Sequence, residues 1–174
     1  MIDVTKTFLP LVKKSQGRVV NVGSVAGRLG LPQVAAYSIT KYGVEAFSDA
    51  LRREMSPWGV LVSIIEPGQF KTSISHPLVE SVKQLWDGLS PELKKDYGEK
   101  HLQEIVDRIN KSLRTASPDI YKVVDAIVDA LTSQRPQTRY VVGLDAKVVV
   151  FISYLPTFIV DPIFTGLRQL LVRD

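Results

Sequence analysis

The chain contains 174 residues, of which 45% are hydrophobic, so it is long enough to form a domain with a sizeable core. Its net charge of +4 is not concentrated in a long Lys/Arg run, so we expect no nucleic-acid partner, although the surplus suits anionic lipid headgroups. The absence of cysteine excludes disulfides, a thiolate nucleophile and a cysteine metal site. His76 and His101 lie far apart without a partner at metal-ligand spacing, so we predict no metal site.

The first elements alternate between helix and strand. Apolar spacing predicts a helix over 2–15, and the short apolar run over 18–23 is typical of a strand buried in a parallel sheet. A long amphipathic helix follows over about 34–56 and ends before Pro57, and the next strand covers 60–65. Such alternation indicates βαβ units and an α/β fold with a parallel sheet. The apolar face of the long helix is predicted to contain Val44, Phe47, Ala50 and Leu51.

The second half is predicted to be mostly helical. From 69 to 116 the pattern is helical and more polar, and Pro118 opens another helix that runs to about 133. Tyr140-Val-Val-Gly is typical of a last strand. The apolar anchors expected within 69–116 are Trp86, Leu89, Leu93 and Ile105.

The hydrophobic C-terminal tail is too short and too interrupted to predict a spanning helix. Thirteen uncharged residues run from Val148 to Val160, whereas a span needs about 20 apolar residues, and Pro156 and Pro162 break the helix. Two interpretations remain open, namely docking to a membrane surface or a core segment that covers a binding cleft. We expect no secretory signal at the start, because Asp3 interrupts an apolar run that is already short.

Three residues carry the clearest chemical signal. Ser24 follows the 18–23 strand, and Tyr37 and Lys41 are four residues apart on the next helix, so both polar tips can face one spot. A free phenol has a pKa of about 10, and a cation within roughly 4–6 Å favours its charged form, which suits a base working near neutral pH. Ligands of open α/β sheets bind beyond the carboxyl ends of the strands. The trio therefore predicts proton-coupled redox chemistry at a carbon–oxygen bond.

At these residues the chain resembles the short-chain dehydrogenase/reductase family, whose hallmark is a serine followed by Tyr-x-x-x-Lys. Ile64-Ile-Glu-Pro-Gly68 looks like the family's turn beside the nicotinamide, and Thr72 matches its threonine that contacts the carboxamide. More narrowly, the chain is similar to the microsomal retinol and hydroxysteroid dehydrogenase branch over essentially its whole length. The matching segments are Gly17-Arg-Val-Val-Asn-Val, Lys41-Tyr-Gly-Val-Glu-Ala-Phe-Ser-Asp, Trp58-Gly-Val, Tyr97-Gly-Glu-Lys, Arg139-Tyr, Asp145-Ala-Lys and Tyr154-Leu-Pro-Thr-Phe.

The resemblance implies hydride transfer between a nicotinamide cofactor and a hydrophobic alcohol or ketone, either a retinoid or a steroid. The cofactor it implies is NAD, with NADP not excluded. The catalytic residues that it implies are Ser24, Tyr37 and Lys41. The cofactor contacts that it implies are Tyr37, Lys41, Pro67, Gly68 and Thr72. The substrate contacts that it implies are Ser24, Gln69 and Phe70, and for the last two residues ordinary packing is an equal alternative.

The resemblance also divides the chain. Residues 1–146 are expected to form the C-terminal part of a Rossmann-type, doubly wound domain, in which 69–116 is the substrate-binding insertion. Residues 147–174 are expected to be a hydrophobic segment that docks on the endoplasmic reticulum membrane. A homodimer through the 2–15 and 34–56 helices is a further expectation.

Several family features have no counterpart before the Ser24 strand. Members begin with a strand, a Gly-x-x-x-Gly-x-Gly turn and an acidic residue that selects the adenosine ribose, and a catalytic asparagine lies on the helix before the serine strand. We therefore expect the chain to be the C-terminal half of a dehydrogenase, begun at an internal methionine. The alternative function is an inactive truncated fragment or isoform that keeps the chemistry residues but holds no cofactor.

Gly23, Gly27 and Gly30 are similar to a nucleotide-binding fingerprint in their spacing only. Such a fingerprint follows a strand and leads directly into a helix that meets the phosphates, whereas a Leu-Pro dipeptide follows here. We therefore expect these glycines to form a flexible active-site loop that carries Ser24.

Overall fold

The computed structural model describes residues 1–73 and 77–165 and divides the chain into two compact units. The first unit comprises Met1–Gly68 and the chain from Tyr121 onward, and the second comprises Gln69–Ile120. His76, weighed above as a metal ligand, lies outside the described residues, as does the end of the tail from residue 166.

A three-stranded parallel sheet, in the order β1-β2-β3, forms the centre of the first unit. Its strands are β1 (Arg18–Val22), β2 (Leu61–Pro67) and β3 (Arg139–Val142). Parallel neighbours need long crossover connections, and each connection here contains helices. The predicted α/β fold with a Rossmann-like parallel sheet is therefore confirmed.

The α-helices of the described chain follow the predicted order closely. Helix α1 was expected over 2–15 and α2 over about 34–56, and both end within a residue or two of those bounds. The bounds are α1 Ile2–Lys14, α2 Ala35–Met55, α3 Leu78–Asp87, α4 Pro91–Tyr97, α5 Glu99–Thr115, α6 Tyr121–Thr132, α7 Leu144–Ile152 and α8 Thr157–Thr165. Short 3₁₀ helices cover Val25–Gly27 and Ser56–Trp58.

The apolar core lies on and around the central strand β2. Residues 62–66 of this strand are all buried, and the side chain of Ile65 is completely excluded from solvent. Burying each large apolar side chain contributes roughly 1.5–3 kcal/mol. One cluster of the core joins α2 to the sheet and consists of Leu51, Val60 and Val62, with Leu9, Val12, Val19, Phe47 and Met55 packed against it.

The face that α2 turns to the sheet is more polar than predicted. Leu51 is buried as expected, but Ala50 is exposed, so its predicted place in the apolar face is wrong. The other buried residues of the helix are Ser38, Glu45 and Ser48. Ser48 is accommodated because its hydroxyl accepts a hydrogen bond from the Asn21 amide at 2.8 Å and donates one to the Val44 carbonyl at 2.7 Å.

The second unit is built from α3, α4 and α5. Its buried helical residue is Val106 rather than the neighbouring Ile105, which is half-buried. The expectation that Leu93 anchors this unit is wrong, because this residue is 42% exposed.

The tail forms two separate helices, α7 and α8. Pro156 precedes α8, but Pro162 lies inside it, so the prediction that Pro162 ends the helix is wrong. A proline removes only one intrahelical hydrogen bond, and a helix can continue past it with a kink. Over residues 1–73 and 77–165, none of the helices combines the length and apolarity needed to cross a bilayer.

Candidate active site

Ser24 lies immediately beyond β1, at the carboxyl edge of the sheet. The preceding Gly23 still donates its N–H to the carbonyl of Ile65 on β2, at 2.8 Å. The Ser24 hydroxyl oxygen accepts a hydrogen bond from the Ala26 N–H at 3.2 Å and thereby caps the first 3₁₀ helix. Because a hydroxyl can accept and donate at once, the same group keeps its hydrogen for an oxygen atom placed beside it.

Tyr37 and Lys41 extend from the first two turns of α2. The phenol ring is 48% exposed, and the Lys41 ammonium lies 5.7 Å from its centroid. The same ammonium donates a hydrogen bond to the carbonyl of Val22, at the carboxyl end of β1, at 3.3 Å. Lys41 therefore approaches both the phenol and the strand end that leads to Ser24, which is the direction predicted from the four-residue spacing.

Gly68 follows β2 and packs against a carboxylate. Its N–H bonds to the carbonyl of Val142 at 2.9 Å, which fixes the turn after Pro67 to β3. A Cβ built on Gly68 would collide with both carboxylate oxygens of Asp145, in the first turn of α7. A side chain at position 68 would therefore displace the carboxylate of Asp145, a residue to which sequence reasoning gave no role in the site.

The other predicted contacts belong to the second unit. Phe70 is only 8% exposed, and the Gln69 carbonyl accepts a hydrogen bond from the Ser117 N–H at 3.0 Å. Burial of Phe70 accords with the packing alternative, whereas Thr72 is half-buried. The cofactor and substrate roles of Gln69, Phe70 and Thr72 stay predictions.

The segment that carries Ser24 is closely packed. A Cβ on Gly27 would lie 2.7 Å from the Lys41 carbonyl oxygen, and one on Gly23 would lie 3.0 Å from a carboxylate oxygen of Glu45. Gly23 and Gly27 therefore let the loop backbone lie close to α2, and the flexibility expected of this loop stays a prediction. Gly30 differs, since a Cβ there would meet nothing within 4 Å.

Four charged residues form a buried charge cluster behind this segment: Arg28, Glu45, Glu66 and Arg139. The Glu66 side chain is 0% exposed, and its Oε1 accepts hydrogen bonds from Arg28 at 3.1 Å and Arg139 at 3.3 Å. Arg139 also donates to Glu45 and, at 2.9 Å, pairs with Asp49 on the rim of the cluster. Sequence reasoning missed the cluster, although a glutamate directly after the apolar residues of β2 was a signal for it.

The cluster changes the proton affinities of its members. Burial, followed by the negative charge of Glu66, raises the pKa of Glu45 to about 7, and the two arginines only partly oppose this. Burial works against the charged form of Arg28, yet its pairing with Glu66 and with the Tyr154 hydroxyl leaves the pKa of Arg28 raised. Within the described residues neither Glu45 Oε1 nor Glu66 Oε2 has a hydrogen-bond partner.

Metal binding has no support in the described part of the chain. No group of three or more histidine, aspartate or glutamate side chains there could hold a metal ion. The acidic residues of the buried charge cluster face arginines, so ion pairing accounts for their arrangement.

Comparison with known proteins places the chain in a class. The family model described as short chain dehydrogenase matches residues 1–83, which include β1, α2 and β2. A short-chain dehydrogenase from Streptomyces avermitilis superposes with a TM-score of 0.60 at 25% identity, over 96% of this chain and 54% of that one. The chain belongs to the short-chain dehydrogenase/reductase family.

Curated relatives define the branch more narrowly. The chain is 51% identical over 164 residues to retinol dehydrogenase 16 of Mus musculus, covering 92% of this chain and 51% of that protein. It is 42% identical over 168 residues to 17-beta-hydroxysteroid dehydrogenase type 6 of Homo sapiens, covering 95% and 53%. The chain therefore spans about half the length of the curated relatives it matches.

The close contact at Gly27 predicts a stability effect. Replacement Gly27→Ala places a methyl group against the backbone of Lys41, which cannot move away without displacing α2, and should lower the free energy of unfolding by about 1–3 kcal/mol. Gly30→Ala is the matched control, because its methyl group enters open space, and we expect a change within about 0.5 kcal/mol. Urea unfolding of both variants measures the difference, and equal stabilities would contradict the packing described here.

The raised pKa of Glu45 predicts a pH dependence of stability. Between its ordinary value of 4.5 and about 7, the folded chain holds a proton at Glu45 that the unfolded chain has released, so stability falls as pH rises through this window. With allowance for solvent screening, the loss should be on the order of 1–2 kcal/mol between pH 5 and 7.5. Glu45→Gln should flatten this slope in denaturant unfolding across the range. Glu54→Gln controls for loss of an exposed carboxylate on the same helix, and equal slopes in both variants would refute the assignment.

Proposed function

We propose that the protein carrying this chain is a nicotinamide-dependent oxidoreductase that oxidises or reduces the CH–OH group of a hydrophobic alcohol or ketone. The observation that carries the proposal is the position of the Lys41 ammonium, 5.7 Å from the Tyr37 ring and bonded to the end of β1. Family membership supports the reaction class. The names of the relatives support a retinoid or hydroxysteroid as the substrate.

Tyr37 is the proposed proton acceptor from the alcohol, and the proton donor in the reverse direction. Lys41 holds a positive charge 5.7 Å from the centre of the Tyr37 ring while this proton moves. Ser24 donates its hydroxyl hydrogen to the substrate oxygen, because its own oxygen is already held by the Ala26 N–H. The three groups thus orient the oxygen and carry its proton while the carbon exchanges hydride.

The described residues fit a nicotinamide cofactor at this edge. Lys41 has three N–H donors, and the described structure uses one of them, on the Val22 carbonyl, so the others suit the hydroxyls of a ribose. We propose further cofactor contacts at Pro67, Gly68 and Thr72. When bound, the nicotinamide supplies or receives the hydride. Either NAD or NADP is compatible with these residues, and NAD is our proposal from the family likeness.

The substrate-binding part is proposed to be the second unit, with Gln69 and Phe70 at its start. Its helices present large apolar side chains to solvent, including Leu85 at 72% exposure, and exposed apolar surface of this kind supports contact with an oily ligand. The homodimer through α1 and α2 stays a prediction.

A second candidate function follows from an absence in the sequence. None of the 174 residues forms a Gly-x-x-x-Gly-x-Gly turn, and backbone amides of such turns supply much of the binding of a dinucleotide pyrophosphate. In this second candidate, the 174-residue chain keeps Ser24, Tyr37 and Lys41 but binds no cofactor by itself.

The catalytic proposal predicts the effect of removing the hydroxyl oxygen of Tyr37. In the natural protein that carries this chain, Tyr37→Phe removes the proton-carrying hydroxyl and keeps the ring, so kcat should fall by about 10²–10⁴-fold. Turnover is measured with NAD or NADP and either retinol or a hydroxysteroid. Tyr42→Phe is the matched control, because Tyr42 is similarly exposed on the same helix, and it should retain activity. Full activity of Tyr37→Phe would rule out the proposed proton transfer.

Calorimetric titration of the 174-residue chain with NAD and NADP separates the two candidates. Binding at sub-millimolar cofactor supports an autonomous oxidoreductase and contradicts the inactive fragment. An absent heat of binding supports the second candidate and contradicts an autonomous oxidoreductase.

We also propose that α7 and α8 dock on the surface of a membrane of the endoplasmic reticulum. Leu144, Val148 and Phe151 recur at helical spacing on α7 and are 50–80% exposed, and Phe158 on α8 is 73% exposed. The positive charge of Lys147 beside this apolar row, together with the net charge of +4, favours anionic headgroups.

Membrane docking is tested by flotation with vesicles of phosphatidylcholine and phosphatidylserine. The paired change Phe151→Ser and Phe158→Ser removes two exposed aromatic side chains and should reduce the floated fraction at least several-fold. Leu85→Ser, equally exposed but on α3, is the matched control and should float like the unmodified chain. Flotation unaffected by the Phe151 and Phe158 changes would exclude this surface.

A further inference from the structure

The buried charge cluster connects the three segments that carry the proposed chemistry. Arg28 is four residues after Ser24, Glu45 is four residues after Lys41, and Glu66 directly precedes the Pro67–Gly68 turn. Each segment belongs to a different element, namely the loop after β1, helix α2 and the end of β2. Ion pairs within the cluster therefore cross between these elements.

Glu66 is the central acceptor of this network. Its side chain has no solvent exposure, and one oxygen, Oε1, accepts hydrogen bonds from both Arg28 and Arg139. A carboxylate buried in this way requires its cationic partners, because removal of one partner leaves an uncompensated charge. The position of Arg28, and with it the position of the Ser24 segment, is therefore tied to the end of β2.

Arg28 is well suited to hold the loop. One guanidinium nitrogen contacts Glu66 at 3.1 Å, while the other donates to the Tyr154 hydroxyl at 2.8 Å. A planar guanidinium with two occupied arms has little freedom to rotate. On its other side the loop cannot retreat, because Gly27 already touches the backbone of Lys41.

We propose that Glu66 is a positioning residue for the reaction: by holding Arg28, its carboxylate fixes the Ser24 segment against the helix that carries Tyr37 and Lys41. This inference rests on the proposed function for its kinetic consequence. The structural consequence of the inference, an ordered Ser24 loop, holds independently of the proposed function. Glu66 touches none of the reacting atoms in this scheme.

The kinetic test uses Glu66→Gln, which keeps the shape of the side chain and removes its charge. A small displacement of Ser24 slows the chemical step more than it weakens binding, so kcat should fall by about 10–100-fold while KM changes by less than about threefold. Asp49→Asn is the matched control, because Asp49 also pairs with Arg139 but has no contact with Arg28. It should leave kcat within about twofold.

A double-mutant cycle tests whether Glu66 acts through Arg28. If it does, Arg28→Gln combined with Glu66→Gln should lower kcat no further than the more severe single variant. Multiplication of the two single effects would overturn the proposal. So would a Glu66→Gln protein that melts at a lower temperature but keeps full kcat, because that result describes a purely structural residue.

Hydrogen exchange supplies a readout that needs no turnover. The Gly27 and Arg28 amides bond to the Ser24 and Val25 carbonyls at 2.9 Å, and in Glu66→Gln both should exchange at least tenfold faster, whereas the β2 amides should not. Unchanged exchange would refute the positioning role. If Glu66→Gln does not fold, Arg28→Lys keeps the charge but loses the two-armed reach, and the same acceleration is expected. If the unmodified protein shows no turnover but Glu66→Gln still accelerates exchange of these two amides, the proposed function is refuted and the positioning role of Glu66 is not.

Discussion

Burying a carboxylate costs free energy unless cations meet it inside the protein, and the Glu66 side chain has no exposure to solvent. Arg28 and Arg139 supply the neutralising charge from places 111 residues apart in the sequence, one in the loop after β1 and one at the start of β3. The requirement for neutralisation therefore connects both neighbours of the central strand. Because the Pro67–Gly68 turn follows Glu66 directly, the ion pairs of Glu66 also restrain the turn that is proposed to contact the cofactor.

Helix α2 joins the cluster to the open edge of the site. Tyr37, Lys41 and Glu45 succeed one another at four-residue intervals, and four residues of an α-helix turn through about 400°, which is roughly 40° more than a full rotation. The row therefore drifts around the helix from Tyr37, which is half exposed, through Lys41 to Glu45, which is buried. The same row of side chains thus contains Tyr37 and Lys41, which are proposed to act in proton transfer, and Glu45, which is buried and pairs with Arg139.

Polar packing distinguishes this helix from the amphipathic helix that its sequence predicts. Ser48 and Glu45 occupy positions that apolar residues would normally fill, and both are accommodated by partners on other elements, Asn21 on β1 and Arg139 on β3. Such partners are invisible to a periodicity argument, which considers one element at a time. A periodicity argument therefore assigns Ala50 to the apolar face of the helix and does not detect the buried charge cluster.

The sequence by itself determined the order and type of the elements, the parallel sheet, and the approach of Lys41 to Tyr37, because short-range periodicity and the four-residue helical repeat fix these locally. Only the tertiary structure decided that Gly27 contacts the Lys41 backbone, that Gly68 makes room for Asp145, and that Glu66 gathers two arginines. Each of these depends on how far apart two distant segments lie after packing. Charge compensation and close backbone contact are set by that distance, which no local pattern encodes.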